Sequence, residues 1–250
     1  MVKKIAIVQQ KGGTGKTTTA VNLAAGIARS GKQTLLIDLD SQGAIANYFS
    51  IKPSQQPYIS DLITGQSEAR SCIINIGKNL DAILSDATTA QAEMTLAKGT
   101  DRERQLSQRI GDSINHYDYV IIDTAPSIGL MNLNGLMLAD SAIIPCACDY
   151  LALEGLRQSR EYLNTIRTLN HNIRLILVVP TFYKQHELKS RDTLTILRQH
   201  FGKLVTAPIR QNVKLSEAAA HHQTIFDYEL NSSGSQDYRR LTRAILSQRG

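Results

Sequence analysis

The sequence has no long apolar run and only a short apolar stretch at its start. No segment reaches the roughly 18 consecutive apolar residues that a membrane-spanning helix needs. This excludes an ordinary transmembrane helix. The apolar part of residues 1–8 is too short for a secretory signal peptide. We therefore expect a cytoplasmic protein.

Cysteine is also scarce. The chain has three cysteines, Cys72, Cys146 and Cys148, and so few thiols suit a reducing compartment. Cys146 and Cys148 alternate within an apolar stretch, as buried strand residues do. An iron–sulfur or zinc site would need more ligands than Cys72 could add. We therefore interpret Cys146 and Cys148 as small core side chains.

Repeats, low-complexity tracts and long linkers are absent as well. A length of 250 residues with 42% hydrophobic content fits one globular domain over residues 1–250.

Short runs rich in Ile, Val and Leu alternate with stretches of helical periodicity, and such runs are typical of strands buried on both faces. The predicted strands are residues 5–8, 34–37, 80–84, 120–122, 142–144 and 175–179. The predicted helices carry the apolar stripes Ala20, Leu23, Ala24 and Ile27, then Leu106, Ile110 and Ile114, then Leu156, Leu163 and Ile166. This alternation predicts an α/β fold, a doubly wound, mostly parallel sheet with helices on both faces and ligands at the carboxyl ends of the strands.

The formal net charge of +6 is distributed unevenly. Residues 1–150 contain 13 lysines and arginines against 14 acidic residues, whereas residues 151–250 contain 15 against 8. The positive surplus therefore lies in the C-terminal part. It indicates a polyanionic partner, either nucleic acid or an acidic membrane, with a merely solvated basic face as the alternative.

The strongest motif lies between the first predicted strand and the first predicted helix. Residues 11–18 read K-G-G-T-G-K-T-T, a variant of the phosphate loop G-x-x-x-x-G-K-[ST], because Gln10 stands where the strict pattern has glycine. Glycines let backbone N–H groups turn toward phosphate oxygens, and the following helix N-terminus adds a favourable dipole. Lys16 is expected to reach the β- and γ-phosphates and Thr17 to ligate Mg²⁺. The nucleotide-binding candidates are Lys11, Gly12, Gly13, Thr14, Gly15, Lys16, Thr17 and Thr18.

Lys11 stands at the entrance of this loop. From there its side chain cannot easily fold back onto phosphates bound to its own subunit. In a two-fold dimer it could reach the nucleotide of the other subunit and offset charge on the transferring phosphoryl group, as an arginine finger does. Position alone leaves this hypothesis open against a solvated surface lysine.

Three aspartates follow two of the predicted strands. Asp38 and Asp40 end the second strand and alternate to the same side. Carboxylates beside a triphosphate suit Mg²⁺ binding through water and the positioning of an attacking water; capping of the next helix is an alternative for Asp40. Asp123 ends the apolar segment Y-V-I-I-D, which has the form of a Walker B element that holds Mg²⁺ through water. The predicted catalytic residues are Lys11, Lys16, Asp38, Asp40 and Asp123, and the predicted metal site is Thr17, Asp38 and Asp123.

Together these motifs resemble the ParA/MinD family of deviant-Walker ATPases, most closely its small Soj-like ParA partition proteins. K-G-G-T-G-K-T-T at 11–18, D-L-D-S-Q-G at 38–43 and D-T-A-P-S at 123–127 follow the family's order, and residues 151–155 and 212–218 also look like Soj-type segments. The resemblance implies a P-loop NTPase with a deviant Walker A motif, and slow ATP hydrolysis that a partner protein stimulates. It also implies ATP-dependent sandwich dimers in which Lys11 crosses to the other subunit, Asp40 orients the hydrolytic water and Asp38 supports the switch region.

The same resemblance implies nucleoid association, because ATP-bound dimers of the family bind DNA without sequence preference through C-terminal basic residues. Lys214 matches one such position, whereas His186 stands where arginine is usual. Counterion release needs charge near phosphates rather than one particular residue, so neighbouring basic residues could substitute. The DNA-binding candidates are Lys184, Lys189, Arg191, Arg210 and Lys214. By resemblance alone, Pro208 is assigned to the adenine pocket.

Two classes of function follow. The first is a cargo-positioning ATPase, released from the nucleoid when a ParB-like or McdB-like adaptor stimulates hydrolysis; its cargo would be a plasmid, a chromosome or a protein organelle such as the carboxysome. The second is a MinD-like membrane-associated regulator, which needs a basic amphipathic C-terminal helix with bulky apolar residues. The tail carries only Leu241, Ile245 and Leu246 on one face, so we expect it to pack on the core and expect no membrane partner. A third class, a metabolic or electron-transfer relative, would need cysteines that bind an iron–sulfur cluster. Cys146 and Cys148 lie in a predicted strand instead, so this class has less support.

Overall fold

The computed structural model describes residues 1–51, 56–149 and 152–248. Leu151, the first residue of one family-like segment, lies outside this part. The strands are β1 Lys3–Ile7, β2 Thr34–Asp38, β3 Ile73–Gly77, β4 Leu80–Ile83, β5 Tyr119–Asp123, β6 Ser141–Ala147 and β7 Arg174–Thr181. They form one sheet in the order β3-β4-β2-β5-β1-β6-β7. Every neighbouring pair is parallel except β3 with β4.

All six strands predicted from the sequence are present, with small shifts at their ends. The prediction missed β3, which lies at the edge of the sheet and pairs antiparallel with β4 alone. Its side chains are half-buried or exposed, because an edge strand at this position is not covered on both faces. It therefore lacks the continuous apolar run by which the buried parallel strands were recognised.

Twelve α-helices in the described part of the chain surround the sheet. They are α1 Lys16–Arg29, α2 Ala44–Tyr48, α3 Ile59–Thr64, α4 Ala69–Cys72, α5 Thr88–Leu96, α6 Gln105–Ile110, α7 Leu130–Leu138, α8 Ala152–Ile166, α9 Leu188–Phe201, α10 Val213–Ala220, α11 Ile225–Tyr228 and α12 Ser233–Ser247. Short 3-10 turns span Gly111–Ile114 and Gly202–Leu204. Of the predicted apolar stripes, the first lies in α1 and the third in α8, while the second continues from α6 into the 3-10 turn.

The sheet separates two apolar cores. In β1, Ile5 and Ile7 pack into one core with α1 and α12, whereas Ala6 belongs to the other core, with α3, α6 and α8. The same alternation occurs in β2 and β5, since successive strand side chains point to opposite faces. Helices thus cover both faces, which confirms the prediction of a doubly wound, mostly parallel α/β fold.

The C-terminal helix α12 packs against α1, as the sequence predicted. Tyr238, Leu241 and Ile245 are buried in that contact. The Tyr238 hydroxyl also lies 3.2 Å from the Thr19 hydroxyl of α1. The apolar face that a membrane-binding helix would present is therefore covered by the protein's own core.

Among the helices that the structure describes, none combines the length and apolar character needed to cross a membrane.

The three cysteines are buried and unbridged, and the prediction that Cys146 and Cys148 are core residues is confirmed. Burial raises the pKa of the Cys146 and Cys148 thiols to about 12 and that of Cys72 to about 11. Thiols with such pKa values stay protonated near neutral pH and are poor metal ligands. Within the described ranges, no group of three or more His, Cys, Asp or Glu side chains is arranged to hold a metal ion by itself.

Candidate nucleotide-binding site

The ends of three neighbouring strands bring the predicted motifs together. β5 lies between β1 and β2, and the parallel register pairs Asp123 with Ile7 on one side and with Asp38 on the other. The Thr124 hydroxyl donates a hydrogen bond of 2.7 Å to the Ile7 carbonyl, which ties the end of β5 to the start of the phosphate loop. Because all three strands run in the same direction, their motifs meet at one edge of the sheet, where ligands of such folds bind.

The phosphate loop connects β1 to α1 through two left-handed glycines. Gly13 has a φ of 71° and Gly15, directly before α1, a φ of 84°. A side chain there would strain the backbone, so the loop needs glycine at these positions. The Thr181 hydroxyl at the end of β7 donates to the Thr14 carbonyl at 2.9 Å and anchors the loop from the other side. The first amide groups of α1 have no intrahelical acceptor and are available to an anion.

Lys16, the first residue of α1, is only 7% exposed. Its ammonium group donates to the Lys11 carbonyl at 3.4 Å, so it stays within the loop. Burial lowers the pKa of Lys16, while the nearby carboxylates of Asp123 and Asp40 favour its charged form. The ammonium group is therefore held beside the loop amides. A phosphate bound there would compensate for the water that burial removes from this group.

Asp123 is a fully buried carboxylate at the end of β5. Neither of its oxygens meets hydrogen-bond geometry with a described residue. Burial raises its pKa to about 7, although the Thr17 hydroxyl and the Lys16 ammonium lie close enough to oppose that rise. A buried, unpaired carboxylate beside a threonine hydroxyl fits a magnesium site, because Mg²⁺ prefers oxygen ligands and keeps several waters.

Asp38 and Asp40 differ in their surroundings although they lie close in sequence. The oxygens of Asp38 accept from the backbone N–H groups of Asp40 (3.0 Å) and Ile45 (3.2 Å), so this fully buried carboxylate shapes the loop after β2. Burial, and then the charge of Asp123, raises the pKa of Asp38 well above its usual value. This geometry agrees with the support role that the resemblance implied; direct metal binding by Asp38 stays a prediction.

Asp40 is half-buried, and its Oδ1 accepts from the Gln42 N–H group at 3.0 Å. Helix α2 begins after Gly43, and no side chain caps it. Asp40 therefore does not cap α2, and the capping alternative was wrong. Asp40 remains near enough to influence the charge of Lys16, which places it at the edge of the site.

The raised pKa of Asp123 predicts a pH-dependent stability of the nucleotide-free protein. The carboxyl group titrates near pH 4 when unfolded but near pH 7 when folded, so the folded state binds the extra proton between these values. The free energy of unfolding should therefore fall as pH rises from about 4 to about 7. Asp123→Asn should make this slope shallower, with the rest due to the buried Asp38, and the variant should be more stable than wild type at pH 8. Thermal melts of both proteins across this range test it, and parallel curves would contradict it.

Lys11 lies at the other side of the loop and has an acidic partner that the sequence analysis missed. Its ammonium is 2.6 Å from Asp149 Oδ2, and the two side chains are 30% and 38% exposed. Asp149 follows β6, the strand next to β1, so the same pattern that identified Asp123, an acid after an apolar strand, could have found it. An ion pair this exposed contributes only about 0–1 kcal/mol. Lys11 can therefore leave Asp149 for a stronger anion at little cost.

A cavity of about 480 Å³ opens beside the phosphate loop. Gly15 and Thr18 line one side, and Phe182, Ile209 and Arg210 line the other. Phe182 adopts a φ of 52°, unusual for a bulky side chain, and directs its ring toward Gly15. A cavity of this size suits a nucleoside.

Pro208, the predicted adenine contact, does not line this cavity, whereas its neighbour Ile209 does. Phe182 is the residue that the sequence analysis missed, because nothing in the local pattern marks an aromatic side chain after a strand as a ligand contact.

A buried asparagine and a half-buried glutamate hold the segment after Asp123, the glutamate through α7. Asn132 Oδ1 accepts from the Ala125 N–H group at 2.9 Å, and its amide donates to the carbonyls of Ala125 and Ser127. Glu93 of α5 accepts from the first amide groups of α7. The D-T-A-P-S segment is thus fixed from α7, and α7 in turn from α5.

The predicted DNA-binding side chains are not gathered into one unpaired surface. Lys184 and Lys189 both pair with Glu187, at 2.6 and 3.4 Å, and Lys214 pairs with Glu217 at 2.8 Å. Each of these cations already has an acidic partner within its own subunit, which reduces the field it presents to a polyanion.

Arg210 has a structural partner. It pairs with Asp237 of α12 at 2.7 Å, and the Asp237 side chain is fully buried. Arg240 also pairs with Asp237 and would be its remaining cationic partner if Arg210 were removed. Of the five predicted DNA contacts, only Arg191 forms no ion pair with a described residue. All five remain predictions.

Known proteins are similar to this chain over most or all of its length. Residues 2–176 match the family model described as an AAA domain. The chain is 34% identical over its whole length to the chromosome-partitioning ATPase Soj of Treponema pallidum, covering 99% of that protein. It is 36% identical to the sporulation initiation inhibitor protein Soj of Bacillus subtilis, with 99% of both chains covered.

Solved structures share the fold. Cobyrinic acid a,c-diamide synthase of Mycobacterium smegmatis, with bound ADP and magnesium, is 27% identical and has a TM-score of 0.85, with 98% of this chain and 94% of that chain covered. Apo McdA of Cyanothece has a TM-score of 0.88 at 20% identity, covering 98% of this chain and all of that one, and shows the fold alone. With its phosphate loop, its two aspartate motifs and full-length similarity to Soj proteins, the chain belongs to the ParA/Soj family of P-loop ATPases.

Proposed function

We propose that this protein is a ParA-type ATPase that uses ATP as a dimerisation switch. Two ATP-bound subunits form a sandwich dimer, and the dimer binds DNA without sequence preference on the nucleoid, in the cytoplasm. A ParB-like or McdB-like adaptor attached to the cargo stimulates slow hydrolysis and releases the dimer. The cargo is a plasmid, a chromosome or a protein organelle such as the carboxysome.

One observation carries this proposal: the two lysines of the phosphate loop point to different partners. Lys16 is buried within the loop, while Lys11 is half-exposed and pairs with Asp149. One subunit thus supplies one lysine to its own nucleotide and keeps a second one at its surface. The weak pair with Asp149 leaves Lys11 free to exchange partners when a second subunit brings a nucleotide to it.

The chain's own residues can perform the hydrolytic step within such a dimer. Loop amides and Lys16 bind the β- and γ-phosphates, and Lys11 of the opposite subunit offsets the charge that develops on the transferring group. Asp40, at the edge of the site, orients the attacking water. Thr17 and Asp123 would hold Mg²⁺, which would supply positive charge to offset that of the phosphates.

The membrane-associated alternative has less support. Leu241 and Ile245 of α12 are buried against α1 and are not available to a lipid surface. A metabolic role like that of the cobyrinic acid synthase neighbour is also weaker, since the Soj proteins match at higher sequence identity over the whole chain.

DNA retention should depend on the nucleotide and on salt. With ATP and Mg²⁺, a labelled duplex of mixed sequence should bind tightly, and binding should weaken steeply between about 50 and 200 mM salt because the contacts are to phosphates. With ADP the affinity should drop at least ~10-fold, because a monomer presents half as many contacts. Fluorescence anisotropy measures both effects. Equal binding with ADP and ATP, or binding that is insensitive to salt, would refute the DNA-binding part of the proposal.

A further inference from the structure

A buried glutamine lies two residues before Lys11, outside the phosphate-loop motif. Gln9 follows β1 and is only 2% exposed. Its amide nitrogen donates to the Pro145 carbonyl of β6 at 3.2 Å, which fixes the orientation of the amide because a carbonyl can only accept. Its Oε1 atom accepts from the Ser159 hydroxyl of α8 at 2.7 Å. The amide of Gln9 is thus held by two different elements.

The same Oε1 atom is within reach of the Lys11 backbone. The Lys11 N–H group donates to it at 3.4 Å. On the other side, the Lys11 carbonyl accepts from the Thr14 hydroxyl and from the Lys16 ammonium group, both at 3.4 Å. When Lys16 turns toward a bound phosphate, its bond to the Lys11 carbonyl is lost, whereas the bond to Gln9 is not affected. Gln9 therefore anchors Lys11 in the nucleotide-bound state as well.

Helix α8 approaches the phosphate loop at the same place. Gly155 and Ser159 are one turn apart on α8, and both are buried. A Cβ atom at Gly155 would lie 3.5 Å from Gln9 Oε1 and 3.6 Å from Lys11 Cβ, so the loop entrance packs directly against α8. The Lys11 ammonium group pairs with Asp149, which precedes α8. Both the backbone and the side chain of Lys11 are therefore held from the side of β6 and α8.

We propose that Gln9 is a positioning residue for Lys11, and that Ser159 holds Gln9 in the orientation this requires. The inference rests on the proposed function, because it concerns the lysine that would reach the opposite subunit. A lysine side chain is long and flexible, so the point at which it leaves the loop decides which anions it can reach. Without the Gln9 amide, the Lys11 N–H group loses its acceptor and the loop entrance gains conformational freedom.

The expected consequence concerns dimer formation and not ATP binding. The nucleoside cavity is lined by other residues than Gln9. The shape of the phosphate loop depends on the left-handed glycines Gly13 and Gly15 and on the bond from the Thr181 hydroxyl. A change at Gln9 leaves these features in place. It raises the entropy that Lys11 must lose on reaching the second nucleotide, and this cost falls on the dimer.

The test uses Gln9→Met, which fills a similar volume without the amide, and Ser159→Ala, which removes the hydroxyl. Thr242→Val in α12 is the matched control. Thr242 and Ser159 are both buried helix residues whose hydroxyl oxygens lie 2.9 Å from the carbonyl four residues before them. Sedimentation velocity with ATP and Mg²⁺ over a series of protein concentrations measures dimerisation, and isothermal titration calorimetry measures ATP affinity. Thermal melts identify a temperature at which every variant is folded.

Gln9→Met should need ~10-fold more protein than wild type to dimerise, and Ser159→Ala ~3-fold more, while both bind ATP within ~3-fold of wild type. Combining the two changes should be no worse than Gln9→Met alone, because Ser159 acts through the amide that Gln9→Met removes. Thr242→Val should dimerise like wild type. In the Lys11→Ala background, Gln9→Met should have no further effect, since no lysine is left to position.

An equal loss of dimerisation from Gln9→Met in the wild-type and Lys11→Ala backgrounds would overturn the inference, because Gln9 would then act without Lys11. Wild-type dimerisation of the folded Gln9→Met variant would overturn it as well. So would a loss of ATP affinity as large as the loss of dimerisation, which a purely structural role in the loop predicts. A failure of the proposed function itself is different, since wild type would then stay monomeric with ATP.

Discussion

Replacing Lys16 by alanine should lower the affinity for ATP by at least ~100-fold. Lys16 is buried beside Asp123, and its ammonium group stays within the phosphate loop. In the complex it would balance the charge of the β- and γ-phosphates at a short distance and away from water. Its removal takes away the one buried lysine that the phosphate loop supplies to its own nucleotide.

Isothermal titration calorimetry with ATP and Mg²⁺ measures this loss. Lys32→Ala is the matched control, because Lys32 pairs with Asp118 in an exposed ion pair away from the phosphate loop. The Lys32→Ala variant should bind ATP with wild-type affinity. Retention of wild-type affinity by Lys16→Ala would show that the phosphates do not bind at this loop.

Asp40→Ala should preserve ATP binding within ~3-fold and slow hydrolysis by ~100-fold or more, the usual effect of losing a residue that orients or deprotonates water. Asp40 lies at the edge of the site, half-buried, and accepts only a bond from within its own loop. It is therefore free to face a water at the γ-phosphate. Asp38, by contrast, holds the loop with both oxygens.

Phosphate release under single-turnover conditions, together with ATP titrations, separates the two effects. Asp40→Asn is informative as a second variant, because it keeps the hydrogen-bond acceptor for Gln42 and removes only the charge. Asp192→Ala, on the exposed face of α9, is the control. Turnover at the wild-type rate in both Asp40 variants would exclude Asp40 as the residue that positions water.

The fold was predictable because its strands are buried on both faces. Periodicity identified the six parallel strands and the core-facing residues of α1 and α8. The edge strand β3 has neither continuous apolar character nor alternation strong enough to distinguish it from a loop. Short elements such as α2, α4 and α11, of four or five residues, offer too few turns for a helical period to show.

The site was predictable where chemistry imposes spacing within one segment. The loop glycines, Lys16 and the aspartates at strand ends belong to continuous motifs. The Lys11–Asp149 pair joins residues 138 positions apart, and the position of Phe182 depends on how β7 lies beside the phosphate loop. Such contacts follow from the order of strands in the sheet, which no local pattern encodes.

The sequence likewise does not show which surface lysines and arginines form ion pairs with acidic side chains. Composition locates the positive surplus in residues 151–250, but only the structure shows which cations have acidic neighbours. Glu187 and Glu217 compensate the three predicted lysines Lys184, Lys189 and Lys214, whereas the predicted contact Arg191 forms no ion pair with a described residue. Net charge therefore does not show which of these cations a polyanion would contact.

In the proposed function, ATP joins two subunits through Lys11. Sedimentation velocity of wild type and Lys11→Ala, with ATP and Mg²⁺ or with ADP, tests it directly. Wild type should sediment as a dimer with ATP and as a monomer with ADP. Lys11→Ala should bind ATP like wild type but need at least ~30-fold more protein to dimerise, since it removes one partner of a buried charge contact. Equal ATP-dependent dimerisation of the two proteins would contradict the role proposed for Lys11.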